Sequence, residues 1–190
     1  MKYLVIYAHP NPKSFNHAIT EEILANLRAQ GKEAEVRDLY RLRFNPMLSG
    51  DDFAHFDRGK IPADIQKEQE YIRKADALIF VYPVWWFNMP AILKGYIDRV
   101  FSRGFAYEVV NGAIKGLLTG KNVYIINTAG GTPEGYSHFG YNEAIRTTID
   151  TGMFAFCGMT VQIHKYFYAV PTVTDEVRKQ MLAEIKRMSL

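Results

Sequence analysis

Apolar residues along this chain keep two alternating rhythms. Residues 3–8, Ala77–Pro83 ("ALIFVYP") and Asn122–Thr128 ("NVYIINT") are almost continuously apolar, as strands buried on both faces are in a parallel sheet covered by helices. Residues 34–39 and Thr160–Phe167 ("TVQIHKYF") add two more strand-like segments. Helical spacing fills the intervals. Phe15, Ile19, Ile23 and Leu27 recur every four residues, with Ser14 placed to cap the start and Gly31 to end the helix. Residues 61–75 carry a weaker pattern. Pro90 can open a third helix, with Ile92, Leu93, Tyr96, Ile97, Val100 and Phe101 on one side. Ile145, Ile149, Met153 and Phe156 mark a fourth, closed by Gly158, and Val177, Met181, Ile185 and Met188 a fifth, beginning near Thr174. Strict strand–helix alternation predicts one doubly wound α/β domain over residues 1–190, with right-handed crossovers. Two stretches, 40–60 and 105–121, show little periodicity and read as long irregular loops.

Composition narrows the picture. The chain has 190 residues, 48% of them hydrophobic, enough for a sizeable core. No apolar run reaches the roughly 18–20 residues of a membrane span, and Met1-Lys2-Tyr3 leads straight into a strand without the shape of a signal peptide. The single cysteine, Cys157, cannot form an internal disulfide and fits a reducing, cytoplasmic setting; it is expected to be a core residue. A net charge of +3 is too slight to argue for nucleic acid. Twelve Phe and twelve Tyr serve either core packing or a flat aromatic ligand.

Candidate chemistry lies in three loops that leave carboxyl ends of strands, where open α/β sheets bind ligands. "YAHPNPKSFN" feeds the first helix, whose free N–H groups and dipole favour an anion, with His9, Ser14 and Asn16 as further donors; a capped helix behind a polar loop is the plain alternative. No Gly-x-Gly-x-x-Gly or Walker pattern is present. "PVWWFNMP" sets the only two tryptophans beside Phe87 between prolines, which suits a flat ring system or a hydrophobic plug. "TAGGTPEGY" lets backbone amides approach a ligand closely at Gly130 and Gly131, or is simply a flexible loop. Taken together, a phosphate cradle, an aromatic wall and an amide-rich wall at one sheet edge describe a flavin mononucleotide half.

"YAHPNPKSFN", "PVWWFNMPAILKGYIDRVF", "GFAY" and "TAGGTPEGY" resemble the flavodoxin-like NAD(P)H:quinone oxidoreductases of the DT-diaphorase type, over nearly the whole chain. The resemblance implies a flavodoxin-like sheet of five parallel strands in the order 2-1-3-4-5. It implies a flavin held by His9, Ser14, Phe15 and Asn16 at its phosphates, bordered by Pro83, Val84, Trp85, Trp86 and Phe87, and bound at its other edge by Thr128, Ala129, Gly130 and Gly131. Tyr136 would sit beside the flavin and stabilise charge during hydride transfer, with Asn142 where relatives carry His or Asn. Phe105, Tyr107 and Phe156 resemble the lining of a substrate slot shared across a homodimer. The length of 40–60 and the match of Asp175 and Arg178 to an adenine-binding segment favour FAD over FMN. One branch holds a metal with two histidines; here Thr151 and Ala155 stand in their place, so no metal is expected. The implied reaction is two-electron, ping-pong transfer from NAD(P)H to a quinone. The alternatives are an azo or nitro reductase, a flavodoxin-type electron carrier, or a regulatory subunit of a potassium-efflux system. His164 reads as an ordinary strand residue.

Overall fold

The computed structural model describes residues 1–190. In chain order the elements are β1 (Lys2–Tyr7), α1 (Phe15–Ala29), β2 (Glu33–Asp38), α2 (Gly50–Asp57), α3 (Ala63–Lys74), β3 (Ala77–Pro83), α4 (Ala91–Val100), β4 (Tyr107–Val110), β5 (Ala113–Gly116), β6 (Asn122–Thr128), α5 (Pro133–His138), α6 (Tyr141–Arg146), a π-helical continuation (Thr147–Ala155), β7 (Thr160–Phe167) and α7 (Asp175–Arg187). β2-β1-β3-β6-β7 form one sheet, every pair parallel. This is the 2-1-3-4-5 order of a flavodoxin-like fold, since β4 and β5 pair only with each other.

β3 is buried at every position and β1 at all but its first, which is why both read as continuous apolar runs. On one face, Leu4, Ile6, Leu78 and Phe80 pack against Leu93, Tyr96 and Val100 of α4 and Phe154 of the π segment. On the other, Val5, Tyr7, Ile79 and Val81 pack against Ile19, Ile23 and Leu27 of α1 and Ile185 of α7. Helices on both faces leave the carboxyl edge of the sheet open to loops. No helix is long and apolar enough to cross a membrane.

Two expectations are corrected. The 40–60 stretch is not irregular throughout: it contains α2, whose Ser49 and Asp52 form a reciprocal capping box. The segment is pinned to α4 by Arg99, which pairs with Asp52 at 2.9 Å and Asp64 at 2.5 Å. Residues 105–121 hold the β4–β5 hairpin, turned by Asn111 (φ 52°) and Gly112 (φ 79°). Asn-Gly is the residue pair that a two-residue hairpin turn with both φ positive favours. The fourth helix begins before Ile145, as α6, and widens into the π segment, where Phe156 N–H donates to Thr151 C=O five residues back.

Candidate functional site

A cleft of about 490 Å³ opens at the carboxyl edge where the loops after β1, β3 and β6 meet. The first loop contributes His9, Phe15 and Asn16, the second Pro83 to Trp86, and the third Thr128, Ala129 and Gly130, with Val170 and Pro171 closing one side. Ten of these twelve residues are among the candidates read from the sequence. Their convergence follows from topology: neighbouring parallel strands point the same way, so their following loops share an edge.

The floor is set by α1. Ser14 accepts the His17 N–H at 3.1 Å, and its hydroxyl lies 3.2 Å from that of Tyr7. Ser14 thus acts as the helix cap and lies outside the cleft lining, while Phe15 and Asn16, at the start of the helix, reach it. Asn16 is 97% buried at the cleft (3% exposed), and its Nδ2 donates to Thr128 Oγ1 at 2.8 Å. Its Oδ1 has no partner in the chain. The Thr128 hydroxyl can accept or donate, so either end of this amide can face it and the opposite end is left for a cleft occupant. His9 Nδ1 accepts the Asn11 N–H at 3.0 Å, which puts the proton of the neutral ring on Nε2. Burial lowers the His9 pKa.

The aromatic wall is a strained turn. Trp85 and Asn88 exchange N–H···O bonds of 2.9 and 3.0 Å across Trp86 and Phe87, both left-handed at φ 50° and 58°. Such a conformation costs a bulky residue about 1–3 kcal/mol. The Trp86 side chain is 95% exposed. Phe87 instead turns toward Tyr141 and Tyr136, with ring centroids 3.9 and 5.9 Å away.

Tyr136 stands behind Gly131, where an added Cβ would lie 3.0 Å from its ring. It is buried among Phe87, Tyr141 and Tyr168 and flanks the cleft rather than lining it. Burial is the largest cause raising its pKa, followed by Tyr168 and Tyr141, so the phenol stays protonated at neutral pH and can donate. Asn142 Oδ1 accepts the Tyr168 hydroxyl at 2.7 Å.

Other candidates lie apart from the cleft. Asp175 and Arg178 form an exposed ion pair of 2.7 Å at the start of α7; Arg178 Nη1 also donates to the carbonyl of Val170, on the cleft rim, at 2.8 Å. Phe105 is buried beneath Arg73, 4.9 Å from ring centroid to guanidinium. Tyr107 and Phe156 meet edge to face at 5.1 Å in a separate hollow with Ile97 and Met153, which shares no residue with the cleft. Cys157 is buried, and burial pushes its thiol pKa up to about 11. His164 is no ordinary strand residue: Nδ1 lies 2.6 Å from Asp150 Oδ1 and Nε2 2.6 Å from Asn127 Oδ1. The sequence reading also missed Val170, Pro171, Tyr141 and Tyr168. The repeat of rings at His164, Tyr166 and Tyr168, two residues apart and so on one strand face, was the available signal for the last. No group of three or more His, Cys, Asp or Glu side chains converges to hold a metal ion.

Residues 1–188 match a protein-family model described as flavodoxin-like fold. A Haemophilus influenzae protein named as an uncharacterized NAD(P)H oxidoreductase is 39% identical over 183 residues, 96% of this chain and 91% of its own length. Human ribosyldihydronicotinamide dehydrogenase [quinone] is 34% identical over 202 aligned positions, covering 96% of this chain and 87% of that protein. The solved structure of the NAD(P)H:quinone oxidoreductase from Methanothermobacter marburgensis superposes with a TM-score of 0.89 at 30% identity, covering 98% of this chain and 94% of that one.

Proposed function

This chain belongs to the flavodoxin-like fold family, and on that premise we propose that it is a flavin-dependent NAD(P)H:quinone oxidoreductase. The observation that carries this reading is one cleft with the N-terminus of α1 at its floor and an exposed aromatic turn at its wall. The residues present fit a flavin: Asn16 has an unpaired amide end, His9 a free Nε2, and Trp85 and Trp86 offer flat apolar surface beside the Ala129–Gly130 backbone. When bound, the flavin supplies the ring that accepts and returns the hydride.

The chain's own residues bind, orient and stabilise charge. His9 and Asn16, with the first amides of α1, would hold the phosphate end. Val84, Trp85 and Trp86 would border the ring system, and the backbone N–H groups of Gly130 and Gly131 would serve its opposite edge, the Ala129 N–H being held by the Phe167 carbonyl at 2.8 Å. Tyr136 would donate from its protonated phenol toward charge that develops on reduction, and Asn142 is linked to it only through Tyr168. We favour FAD: Arg178, which donates to the carbonyl of the rim residue Val170 at 2.8 Å, would hold the adenine end of a dinucleotide that left the cleft past Val170 and Pro171. The nicotinamide donor and the quinone use one slot in turn, which makes the kinetics ping-pong. Tyr107 and Phe156 line an open hollow off the cleft of their own chain, which supports a slot completed by a second copy in a homodimer, whereas Phe105 is buried in its own core.

The test is to identify the co-purified flavin by mass, then follow NAD(P)H oxidation with menadione as the quinone. Quinone-dependent turnover with parallel double-reciprocal lines is expected. A bound flavin that NAD(P)H does not reduce overturns the reading and favours an electron carrier.

A further inference from the structure

His164 is buried, and both of its ring nitrogens face oxygen atoms. Asp150 Oδ1, from the π segment, lies 2.6 Å from Nδ1, and Asn127 Oδ1, from β6, lies 2.6 Å from Nε2. The Arg146 guanidinium, 3.6 Å from the second oxygen of Asp150, favours the ionised carboxylate, which only accepts. Asn127 is oriented by a group that also only accepts: its Nδ2 donates to the backbone carbonyl of Tyr82 at 3.3 Å, which leaves Oδ1 for the ring. Two acceptors at hydrogen-bond distance call for two donors. This arrangement therefore belongs to the imidazolium, with a proton on each nitrogen.

The neutral ring cannot keep these contacts. Its one proton stays on Nδ1, against the carboxylate, so Nε2 turns acceptor and opposes the Asn127 oxygen at 2.6 Å. The ring itself has little freedom to move away: it stacks on Tyr166 at 4.5 Å and 15°, and Arg146 of α6 donates to the His164 carbonyl at 2.8 Å. The Asn127 amide is the part that can turn. Turned over, its Nδ2 donates to Nε2 and gives up the Tyr82 carbonyl. Its Oδ1 then faces the Tyr82 side, where the Tyr82 hydroxyl lies buried near the amide with no bonded partner in the chain. Each protonation state of the ring thus has its own amide orientation. The other titratable groups facing this node are the phenols of Tyr82 in β3 and Tyr166 in β7, and burial is the largest cause raising the pKa of both. Neither gives up its proton near neutral pH, Arg146 is a permanent cation, and the exchangeable proton belongs to the His164–Asp150 pair.

We propose that His164 and Asn127 form a pH-sensitive switch, in which loss of one proton from the His164 ring turns the Asn127 amide and releases a side-chain tie between β6 and β3. The proton leaves Nε2 for solvent, and no other covalent bond changes. The place of the tie gives the switch its reach. Tyr82 and Asn127 are register partners one step before Pro83 and Thr128, and both of those line the cleft. The switch stands on the node alone and does not depend on which substrate the cleft takes.

NMR on the full chain, labelled with ¹⁵N-histidine and ¹⁵N-asparagine and titrated from about pH 5 to about pH 9, tests this. At the acid end both His164 nitrogens should read as protonated. As the ring loses its proton, the Asn127 side-chain amide pair should shift with the same midpoint. His164→Gln keeps a polar side chain that cannot titrate, so it should abolish the Asn127 transition. Asp150→Asn removes the charge opposite Nδ1 and should move both transitions together to lower pH, by about 1–3 pH units. A His164 ring that holds one protonation state throughout overturns the proposal, as does an Asn127 signal that moves with a different midpoint or not at all. An Asn127 transition that persists in His164→Gln, or midpoints that stay put in Asp150→Asn, overturn it equally. Where either variant fails to fold, the coincidence of the two midpoints in the wild-type protein decides.

Discussion

On the proposed phosphate reading, His9 should couple anion binding to pH. Burial holds its pKa below the ordinary imidazole range, so in the free cleft it is neutral near pH 7 and donates only from Nε2. A phosphate beside Nε2 favours the cation and raises that pKa. Binding therefore takes up a proton in the window between the two values, and affinity tightens as pH falls through it, by at most about tenfold per pH unit. Below the free-site value the curve flattens. FAD is the suitable probe, because its diphosphate does not titrate in this range. Fluorescence titration of the apoprotein should show this slope with FAD and none with riboflavin, and His9→Gln should flatten it. A wild-type affinity for FAD that ignores pH removes His9 from the phosphate end.

At the level of elements, the chain from Tyr40 to Lys60 shows what periodicity hides. α2 is short and polar, so no apolar stripe announces it. Its stability comes from its capping box and from a partner 47 residues away, the Arg99 guanidinium that grips Asp52. Gly95 makes the close approach possible: an added Cβ would sit 2.1 Å from the Pro46 carbonyl oxygen. α4, which follows the aromatic turn, is thus fastened on its outer side. Arg99 holds the Asp52 carboxyl below the usual carboxylate range; that contribution is complete above the ordinary carboxylate pKa and is lost as pH falls through the depressed one. Asp52→Ala removes half of the capping box and leaves Arg99 with Asp64 alone on the carboxylate side, which should destabilise the protein by about 1.5–3 kcal/mol in urea unfolding at neutral pH. Protease cutting should concentrate between residues 47 and 58. Flavin binding should survive, since the cleft shares no residue with this segment. A loss under about 1 kcal/mol shows the pair to be dispensable. The β4–β5 hairpin is the opposite case: "VVNGAI" carried a readable turn signal that the glycine content of the surrounding stretch obscured.

At the scale of the whole molecule, what was legible in the sequence divides by how many parts of the chain a feature needs. Strands buried on both faces, such as β1 and β3, write themselves as apolar runs, and their parallel alignment brings His9, Trp85 and Gly130 to one edge. His164 was illegible alone, because its meaning lies in Asp150 and Asn127 from other elements. Tyr107 and Phe156 need something further. Phe156 is partly exposed, and Phe53, Val109, Val110 and Ile114 are exposed as well. None of them lines the cleft of its own chain. If a second copy brings this apolar hollow against the cleft, assembly and quinone turnover must fail together. Phe156→Glu places a charge in that contact. The variant should sediment as a monomer, keep its flavin, and lose quinone-dependent turnover about a hundredfold, the size of loss that misplacing a substrate by about 1 Å produces. A monomeric variant with full turnover means that each chain carries a complete slot. A wild-type protein that sediments as a monomer at working concentrations removes the second copy from the mechanism and leaves Tyr107 and Phe156 as surface packing.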